Sequence, residues 1–436
     1  MRTVVTGVVL AASVLAAAAA AAQPADAPLL QRVLGRALSV DEAVAIALEA
    51  QPAIQARLAE YAAARLRVDQ ALSPLLPQVS GVWTAARSQG ISRSAAGVVT
   101  RTITGFDDNT FARVSLSQLL FDFGKTFATT EAVRKRAELA LEDVEFQRQL
   151  ITLSVKEAFT NINFSQRLIL VNEQALQRAE LNLRSARGFF DVGTRPRSDV
   201  TRAEVDVANA RVDLIRARNA ERFARVALNT AMGLPPETPT QVQDNLVYQP
   251  TPLERERLVG EAIRVRPESR QARLRVDEAE ALVRRSERDF LPDVVAGGFY
   301  GASRSEFDEV WEISLSLSWS LFDGGNRIAR LREARALVEA AQANVRAVEL
   351  DIARQVEQAV IAVQEAEERI QAAQVAVTSA VENFRLAQGR FDAGVGTILE
   401  LTDAQLALTQ AQSTEAQALA DSRIELARLQ RALGLR

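Results

Sequence analysis

Four charged residues beside two glycine-containing segments are the strongest candidates for chemistry in this chain. Glu400 and Asp403 lie three residues apart in TILELTDA, and Asp199 and Arg202 have the same spacing in RPRSDVTRA. Side chains at positions i and i+3 share one face of a helix. A symmetric trimer would gather Glu400 and Asp403 into a ring of six carboxylates, and such a ring at a constriction favours cations and can bind a divalent ion. Asp199 or Arg202 can pair with these carboxylates across the opening that the ring would surround, and so hold that opening shut.

Glu400 has a second interpretation. Thr397 and Glu400 fit a capping box, in which threonine caps a helix and the glutamate three residues later bonds back to it. In that case the acid stabilises a helix end and takes no part in an aperture. The sequence leaves both interpretations open.

The composition argues against an enzyme. The chain has no histidine and no cysteine, which excludes a Ser-His-Asp triad, thiolate metal sites, disulfides and a lipid-bearing N-terminal cysteine. It has no GxxxxGK[ST] motif, so energy for any transport must come from a partner. The net charge of −3 argues against nucleic-acid binding. We therefore predict no catalytic residues, no cofactor and no metal site, and a carboxylate hydrolase remains only as an alternative.

The first 22 residues predict a secretory signal peptide. They combine Arg2, an apolar stretch and a small-residue A-x-A end, and polar QPADAP follows. A membrane-spanning helix is the alternative, which the small-residue end and the polar sequence after it disfavour. We expect an exported protein cleaved after Ala22.

Landmarks along the chain occur twice. LFDFGKT (120–126) returns as LFDGGNR (321–327), an offset of 201 (321 − 120), and Gly233 returns as Gly434 at the same offset. Pro52 and Pro77 return as Pro267 and Pro292 at an offset of 215. Such self-similarity predicts an internal duplication. The repeats are 23–233 and 253–436, each with a helix, a β-hairpin (78–122 and 293–323), a long helix, a tip and a shorter helix, and a Pro-rich linker at 234–252 joins them.

The hairpins carry strands with one apolar and one polar face. In WEISLSLSWSL (311–321), tryptophan, isoleucine and leucine alternate with glutamate and serine. FARVSLSQLLF (111–121) alternates more weakly, and QVSGVWTAA and DVVAGGFYGA supply the preceding strands. A soluble sandwich is one explanation, but strand length and terminal aromatics favour a lipid-facing surface. Four strands cannot close a barrel, so several chains must share one.

Each LFDxG cluster marks a strand that leaves the membrane and becomes a helix. The turn residues are Phe121, Asp122 and Gly124 in the first half, and Phe322, Asp323 and Gly324 in the second. The phenylalanines suit the membrane interface, the glycines permit the bend and the aspartates can cap the following helix.

Long helices are predicted from about 125 to 187 and from about 326 to 390, where proline is absent and glycine almost absent. In the second helix, apolar residues recur every three or four positions, which is typical of a coiled-coil seam. That seam is Val345, Val348, Ile352, Val356, Ala359, Val363, Ala366, Ile370, Ala373, Val377, Ala380 and Phe384. A soluble coiled-coil scaffold would share this seam, although it would need neither a signal peptide nor lipid-like strands.

Taken together, the duplicated turns, the VGT and AGVGT tips and the GLP and GL helix ends resemble the TolC family of outer-membrane efflux proteins over nearly the whole mature chain. The resemblance implies a mostly α fold with a membrane β-barrel. Three chains, each giving four strands, would form a 12-stranded barrel in the outer membrane, continued by a long α-helical tunnel across the periplasm. The implied function is a passive export duct for efflux or type I secretion. Its partners would be two further chains, outer-membrane lipid, a periplasmic adaptor and an inner-membrane pump of the resistance-nodulation-division or ABC type.

The resemblance also suggests roles for residues at the tips. It implies adaptor contact by Val192, Gly193 and Thr194 in the first half and by Ala393, Gly394 and Val395 in the second. Glu400 and Asp403 resemble the family's aperture acids. Gly396 stands where a well-known member has a basic residue that helps to lock the aperture, and Arg195 is the candidate for that role here. The resemblance places the 234–252 linker and the C-terminus in a belt around mid-tunnel.

Overall fold

The computed structural model describes residues 35–88, 91–93, 99–102, 107–248, 255–303 and 308–435. The predicted signal peptide and residues 249–252 of the predicted linker lie outside these residues. The helices are α1 Val40–Ala50, α2 Pro52–Leu72, α3 Lys125–Asp191, α4 Arg197–Ala231, α5 Arg255–Val265, α6 Pro267–Arg288, α7 Asn326–Asp392 and α8 Ile398–Ala432. The strands are β1 Ala37–Leu38, β2 Gln78–Ser88, β3 Ile91–Arg93, β4 Val99–Thr102, β5 Asp107–Phe121, β6 Gln241–Val242, β7 Asp293–Ser303 and β8 Asp308–Ser318.

The predicted strands form one four-stranded antiparallel sheet in the order β2-β5-β7-β8. The strand predicted at 311–321 ends earlier, at Ser318, so Trp319 and Leu321 belong to the connection into α7. A β-bulge beside Leu120 shifts the register of β5 against β7 near the end of the strand. Two short pairings were not predicted: β3 with β4, and parallel β1 with β6.

The sheet has one continuous apolar face because the register aligns the alternating residues of all four strands. Val79 lies opposite Leu116, Val114 opposite Tyr300, and Tyr300 opposite Trp311. These side chains are largely exposed in the single chain, reaching 83% for Ile313. The other face carries Arg113, Glu312 and the serines of β5 and β8. The predicted two-faced strands are therefore confirmed.

The two long helices, α3 and α7, contain 67 residues each and span about 100 Å. They end at Asp191 and Asp392, beyond the predicted ends at 187 and 390. Gly188 and Gly389 lie inside the helices, and neither has a positive φ that would turn the chain. The predicted seam of α7 is confirmed, since each of its residues is buried or half-buried.

The long helices pack with α4 and α8 in a layer, in which α4 lies on α3, α3 on α8, and α8 on α7. Nearer the sheet, α2 and α6 pack on α3, and α6 also packs on α7. Two apolar clusters lie at mid-length. The first joins α1, α3 and α4 around Phe159, and the second joins α5, α7 and α8 around Val360.

Residues just before a helix proline close the ends of α4 and α8. Gln51 donates from Nε2 to the carbonyl of Ala231 (3.0 Å), and Arg266 donates from Nη1 to the carbonyl of Ala432 (3.4 Å). Arg266 is 1% exposed and also bonds Gln355 and Glu268. Such contacts satisfy carbonyls that a helix end leaves without partners.

Candidate aperture at the helix tips

The two tips of the chain lie side by side. We call residues 188–203 the first tip and 389–404 the second tip. Phe391, Ile398 and Leu401 form a buried cluster, with Phe189 of the first tip packed against it. The rings of Phe189 and Phe391 meet edge to face, with centroids 5.7 Å apart. Aromatic contact therefore joins the two helix turns within one chain.

Both tips turn through the same glycine-based motif. Gly193 has a φ of 74° and Gly394 a φ of 80°, which is the left-handed region that glycine adopts without strain. The next amide in each case bonds back to the last helical turn, Thr194 to the carbonyl of Phe189 and Val395 to that of Arg390, each at 3.0 Å. This is a Schellman motif. It leaves Val192 and Val395 about 70% exposed at the extreme end of the chain's helices (71% and 70%).

Arg195 connects the first tip to the second. Its Nη2 donates to the carbonyl of Gly396 at 2.6 Å and to that of Phe391 at 3.4 Å. The guanidinium also lies 4.4 Å from the centroid of the Phe391 ring and forms an ion pair with Asp199 at 3.7 Å. The Arg195 side chain is only 13% exposed, so these contacts form in a poorly hydrated site where they are stronger than at an open surface.

The predicted aperture acids differ in their surroundings. Thr397 Oγ1 accepts from the Glu400 amide at 3.2 Å, as a capping threonine should, while the Glu400 carboxylate accepts from Arg390 Nε at 3.4 Å. Thr397 therefore caps α8, but the Glu400 carboxylate pairs with Arg390. Asp403 is exposed.

The residues expected to pair across the opening are not bonded to these acids within the chain. Asp199 pairs with Arg195, and Arg202 is exposed. The sequence did not identify Arg390, which pairs with Glu400, or Phe391, whose ring and carbonyl contact Arg195. The signal for Phe391 was its position in RFDAGV, one residue before the aspartate shared with FFDVGT.

Aspartates cap both strand-to-helix turns at the opposite end of the long helices. Asp122 accepts from the amides of Gly124 (2.8 Å) and Thr126 (2.6 Å). Asp323 accepts from the amides of Gly325 (3.2 Å) and Arg327 (3.1 Å), and also from Arg327 Nε at 3.0 Å.

Burial opposes ionisation of both carboxyl groups, but hydrogen bonds outweigh it. For Asp122, the bonds from Thr126 and Gly124 and the Lys125 charge bring its pKa below the usual aspartate value. For Asp323, the bonds from Arg327 and Gly325 and the Arg327 charge lower its pKa in the same direction.

Both predicted turn glycines have a positive φ, and each turn contains one further residue of this kind. The prediction gave the bend to Gly124 and Gly324. The structure uses two successive residues with positive φ in each turn: Phe123 (55°) with Gly124 (82°), and Gly324 (68°) with Gly325 (88°). Gly124 therefore corresponds to Gly325, and Phe123 occupies a conformation that is uncommon for a residue with a Cβ. The rings of Phe121 and Phe123 meet edge to face, with centroids 4.7 Å apart.

The described part of the predicted linker lies beside the middle of the long helices. Gln241–Val242 pairs with Ala37–Leu38, Asn163 Nδ2 donates to Asn245 Oδ1 at 2.9 Å, and Arg423 donates to the carbonyl of Val247 at 2.5 Å. Near the C-terminus, the carbonyl of Gly434 accepts from Gln149 Nε2 at 3.0 Å.

Across the described residues, no helix is long and apolar enough to cross a membrane, and no group of three or more acidic residues is arranged to hold a metal ion.

Residues 43–234 and 258–435 match the outer membrane efflux protein family. The chain is 26% identical over 387 residues to the pyoverdine export outer membrane protein OpmQ of Pseudomonas putida, covering 83% of this chain and 77% of that one. It is 26% identical over 336 residues to the alkaline protease secretion protein AprF of Pseudomonas aeruginosa, covering 74% and 69%. The crystal structure of the outer membrane protein VceC from Vibrio cholerae superposes with a TM-score of 0.75 at 20% identity, covering 91% and 96%. This chain therefore belongs to the outer membrane efflux protein family, whose members are channels of the outer membrane rather than enzymes.

Proposed function

We propose that three copies of this chain, each built from a duplicated unit, close into one passive export duct. Their four-stranded sheets would form a 12-stranded barrel in the outer membrane, and their helices would form a tunnel through the periplasm. A periplasmic adaptor would dock at the tips, and an inner-membrane pump of the resistance-nodulation-division or ABC type would supply the energy. OpmQ is named for the export of pyoverdine and AprF for the secretion of a protease. These names support efflux and type I secretion as the two candidate processes.

The exposed sheet supports a barrel shared between chains. β2 and β8 are its edge strands, and each leaves one row of backbone groups without a partner in the sheet. Open strand edges are not tolerated in lipid. Pairing β8 of one chain with β2 of the next would satisfy both edges and place the apolar face outward.

The edges of the helix layer carry the observation that supports closure best. The flanking helices α4 and α7 expose large apolar residues that none of the described residues covers. Ile361 and Val375 on α7 are 58% and 66% exposed, and Val226 and Ile215 on α4 are 43% and 62% exposed. An apolar stripe on each flank is what a second copy of the chain would bury.

The proposed duplication pairs these residues in register. Helices α3 and α7 have 67 residues each, and α4 and α8 have 35 each. Within the chain, Thr160 of α3 and Ala427 of α8 line one cavity, and Gln174 and Ala416 line another. Shifting α3 positions by +201 and α8 positions by −201 converts these pairs to Ile361 with Val226, and Val375 with Ile215. The contact between chains would therefore repeat the α3–α8 contact inside the chain, with apolar side chains in place of polar ones and larger ones in place of alanine.

The tips would form the periplasmic entrance. Asp403 from each chain would line it, together with Glu400 held by Arg390, and Arg195 would hold the first tip on the second in the closed state. Exposed Val192 and Val395 with Gly193, Thr194, Ala393 and Gly394 are the surface proposed for the adaptor. The linker and C-terminus would form the belt around mid-tunnel.

Crosslinking tests the assembly in the full-length protein, which has no native cysteine. Inside the chain, Asn182 Nδ2 donates to Gln405 Oε1 at 2.7 Å. The positions shifted by 201 are Asn383 and Glu204. With a short bis-maleimide, Asn383→Cys/Glu204→Cys should give covalent trimers, while the control Asn182→Cys/Gln405→Cys should stay monomeric on a denaturing gel. Monomers from both double variants, or species larger than trimers from the first, would contradict the proposal.

Conductance tests the duct itself. The purified trimer in a planar bilayer should show a small, cation-selective conductance, which Glu400→Ala/Asp403→Ala should enlarge or make less selective. A folded trimer without conductance in either form would indicate a structural scaffold instead.

A further inference from the structure

A polar cavity of about 320 Å³ lies at mid-length, where α1, the linker, α3 and α8 meet. We call it the belt cavity. Its lining includes Lys156, Arg423, Asn245 and Gln430, and also the carboxylates Asp41 and Asp244. Its volume equals that of roughly ten water molecules at liquid density, which is room for an oxyanion with part of its hydration shell.

Two cations line the belt cavity without an acidic partner. Lys156 Nζ donates to Gln430 Oε1 at 2.7 Å, and Arg423 Nη2 donates to a backbone carbonyl. Among the described residues, neither side chain lies within ion-pair distance of a carboxylate, and Arg423 Nε is buried without a hydrogen-bond partner. A cation removed from water needs a counter-charge or a full set of acceptors.

The two acids that line the belt cavity form no ion pair with either cation. Asp244 is engaged by Arg167 at 3.5 Å and by the amide of Leu246 at 3.0 Å. Asp41 is exposed at the rim and acts on Lys156 only through its field. Asn245 and Gln430 each contribute a side-chain amide, a source of N–H donors for an anion.

Burial shifts the pKa of both cations in the same direction. It lowers the pKa of Lys156, which the charge of Asp41 partly offsets, and it lowers the pKa of Arg423. Both groups are thus poorly hydrated for charged side chains.

The positions related to these two cations by the offset of 201 carry opposite charges. The residue 201 positions after Lys156 is Glu357, and the residue 201 positions before Arg423 is Arg222. That set contains one acid and one base, whereas Lys156 and Arg423 are both basic. The cation pair is therefore particular to the α3–α8 groove and is no general feature of the helix layer.

We propose that the belt cavity binds a small phosphate-type oxyanion between Lys156 and Arg423, with Asn245 and Gln430 as additional donors. The bound anion supplies the acceptor that Arg423 Nε lacks and the counter-charge that Lys156 lacks. It ties the linker to the α3–α8 groove. Anion binding at this site does not depend on export, so it can be tested separately from the proposed duct.

Lysine labelling tests the site in the unaltered protein. The chain has three lysines, Lys125, Lys135 and Lys156. The first two form ion pairs with Asp293 (2.9 Å) and with Glu138 (3.0 Å), so they serve as internal controls. Acetylation rates of the purified trimer are measured by mass spectrometry at constant ionic strength, with chloride or inorganic phosphate as the anion. A nearby opposite charge raises an amine pKa by about one unit or more, so phosphate should slow acetylation of Lys156 roughly tenfold.

The two controls should react at the same rate in either salt. Equal rates for Lys156 in chloride and phosphate would overturn the proposal, as would equal slowing of all three lysines.

Calorimetric titration of the trimer with phosphate provides the second measurement. Arg423→Gln should weaken binding by about tenfold or more, because it removes a charge-assisted donor. The matched control is Arg428→Gln, five residues further along α8, which breaks an ion pair with Glu157 outside the belt cavity. Wild-type affinity in Arg423→Gln, or equal losses in both variants, would refute the assignment.

Discussion

The two tips share a backbone and differ in their side chains. Each long helix ends in a Schellman turn around glycine, and each following helix has 35 residues. Yet the first tip has Arg195 where the second has Gly396, and Arg202 where the second has Asp403. Arg195 reaches across to the carbonyl of Gly396, so the two equivalent positions contact each other.

This difference suggests a division of work. The first tip supplies the cation that joins the pair, while the second supplies the acceptor carbonyl and the acids. A symmetric pair of tips could not do both, because two arginines would repel each other and two glycines would have no link.

Arg195→Ala should have the largest effect. It removes the bonds to Gly396 and Phe391, the ring contact and the partner of Asp199. A hydrogen bond to a charged group contributes about 1.5–3 kcal/mol, so amides of 389–404 should exchange roughly thirtyfold faster in hydrogen-exchange mass spectrometry. Single-channel conductance should also rise in this variant.

Arg197→Ala is the matched control, since Arg197 is exposed on the same tip. Unchanged exchange at the second tip in Arg195→Ala would show that the tips are held by apolar contact alone.

Gly396→Ala should have the next largest effect. A Cβ there would lie 2.9 Å from Arg390 Cβ and 3.0 Å from the Arg390 carbonyl carbon. The loop must shift to relieve this overlap, which costs about 1–3 kcal/mol by the usual size of overpacking. The measurement is again exchange at 389–404. Gly188→Ala is the control, because a Cβ there meets nothing within 4 Å, and it should leave exchange unchanged or slightly slower. Equal effects from both substitutions would contradict the steric argument.

The two acids of the second tip should contribute unequally to the cation selectivity of the channel. Asp403 is exposed, whereas the Glu400 carboxylate is paired with Arg390. Asp403→Asn should therefore lower the cation-to-anion permeability ratio more than Glu400→Gln does, by roughly twofold. Arg390→Gln should raise the ratio, since it releases Glu400. Reversal potentials in a salt gradient measure all three, and an equal loss from Asp403→Asn and Glu400→Gln would mean that the Arg390 pair does not form in the open assembly.

The backbone plan was predictable because periodicity and glycine positions report it directly. Alternation in WEISLSLS predicted the apolar sheet face, and the seam from Val345 to Phe384 predicted the buried stripe of α7. The contacts of the tips were not predictable. Arg195 and Gly396 are 201 residues apart, and nothing local indicates that their two tips pack together. The pairing of Glu400 with Arg390 was hidden for a similar reason, since a capping box explained the glutamate by itself.

The strand-to-helix turns show the same pattern of equal backbone and unequal side chains. Each has an aspartate followed by two residues with positive φ, but the first turn has Phe123 where the second has Gly324. Asp122 is 5% exposed and relies on backbone amides, whereas Asp323 also pairs with Arg327. The two turns should therefore respond unequally to acid.

Acidification should have the smallest effect, and it should weaken the first turn more than the second. Both aspartates have a pKa below the usual value, so their contribution to stability is complete above the unfolded pKa of about 4 and is lost as pH falls through the folded pKa. Amide exchange of Thr126 and Arg327, corrected for the intrinsic pH dependence, should stay constant from pH 7 to about pH 4 and then rise, most at Thr126.

Asp122→Asn should remove that rise at Thr126, because an amide does not titrate in this range, while Arg327 should behave as in the wild type. The cost of losing such a cap is about 1 kcal/mol, which is why this effect comes last. A rise that begins above pH 5 would contradict the lowered pKa of the capping aspartates. A rise of equal size in both turns would mean that the buried cap of Asp122 does not distinguish the first turn from the second.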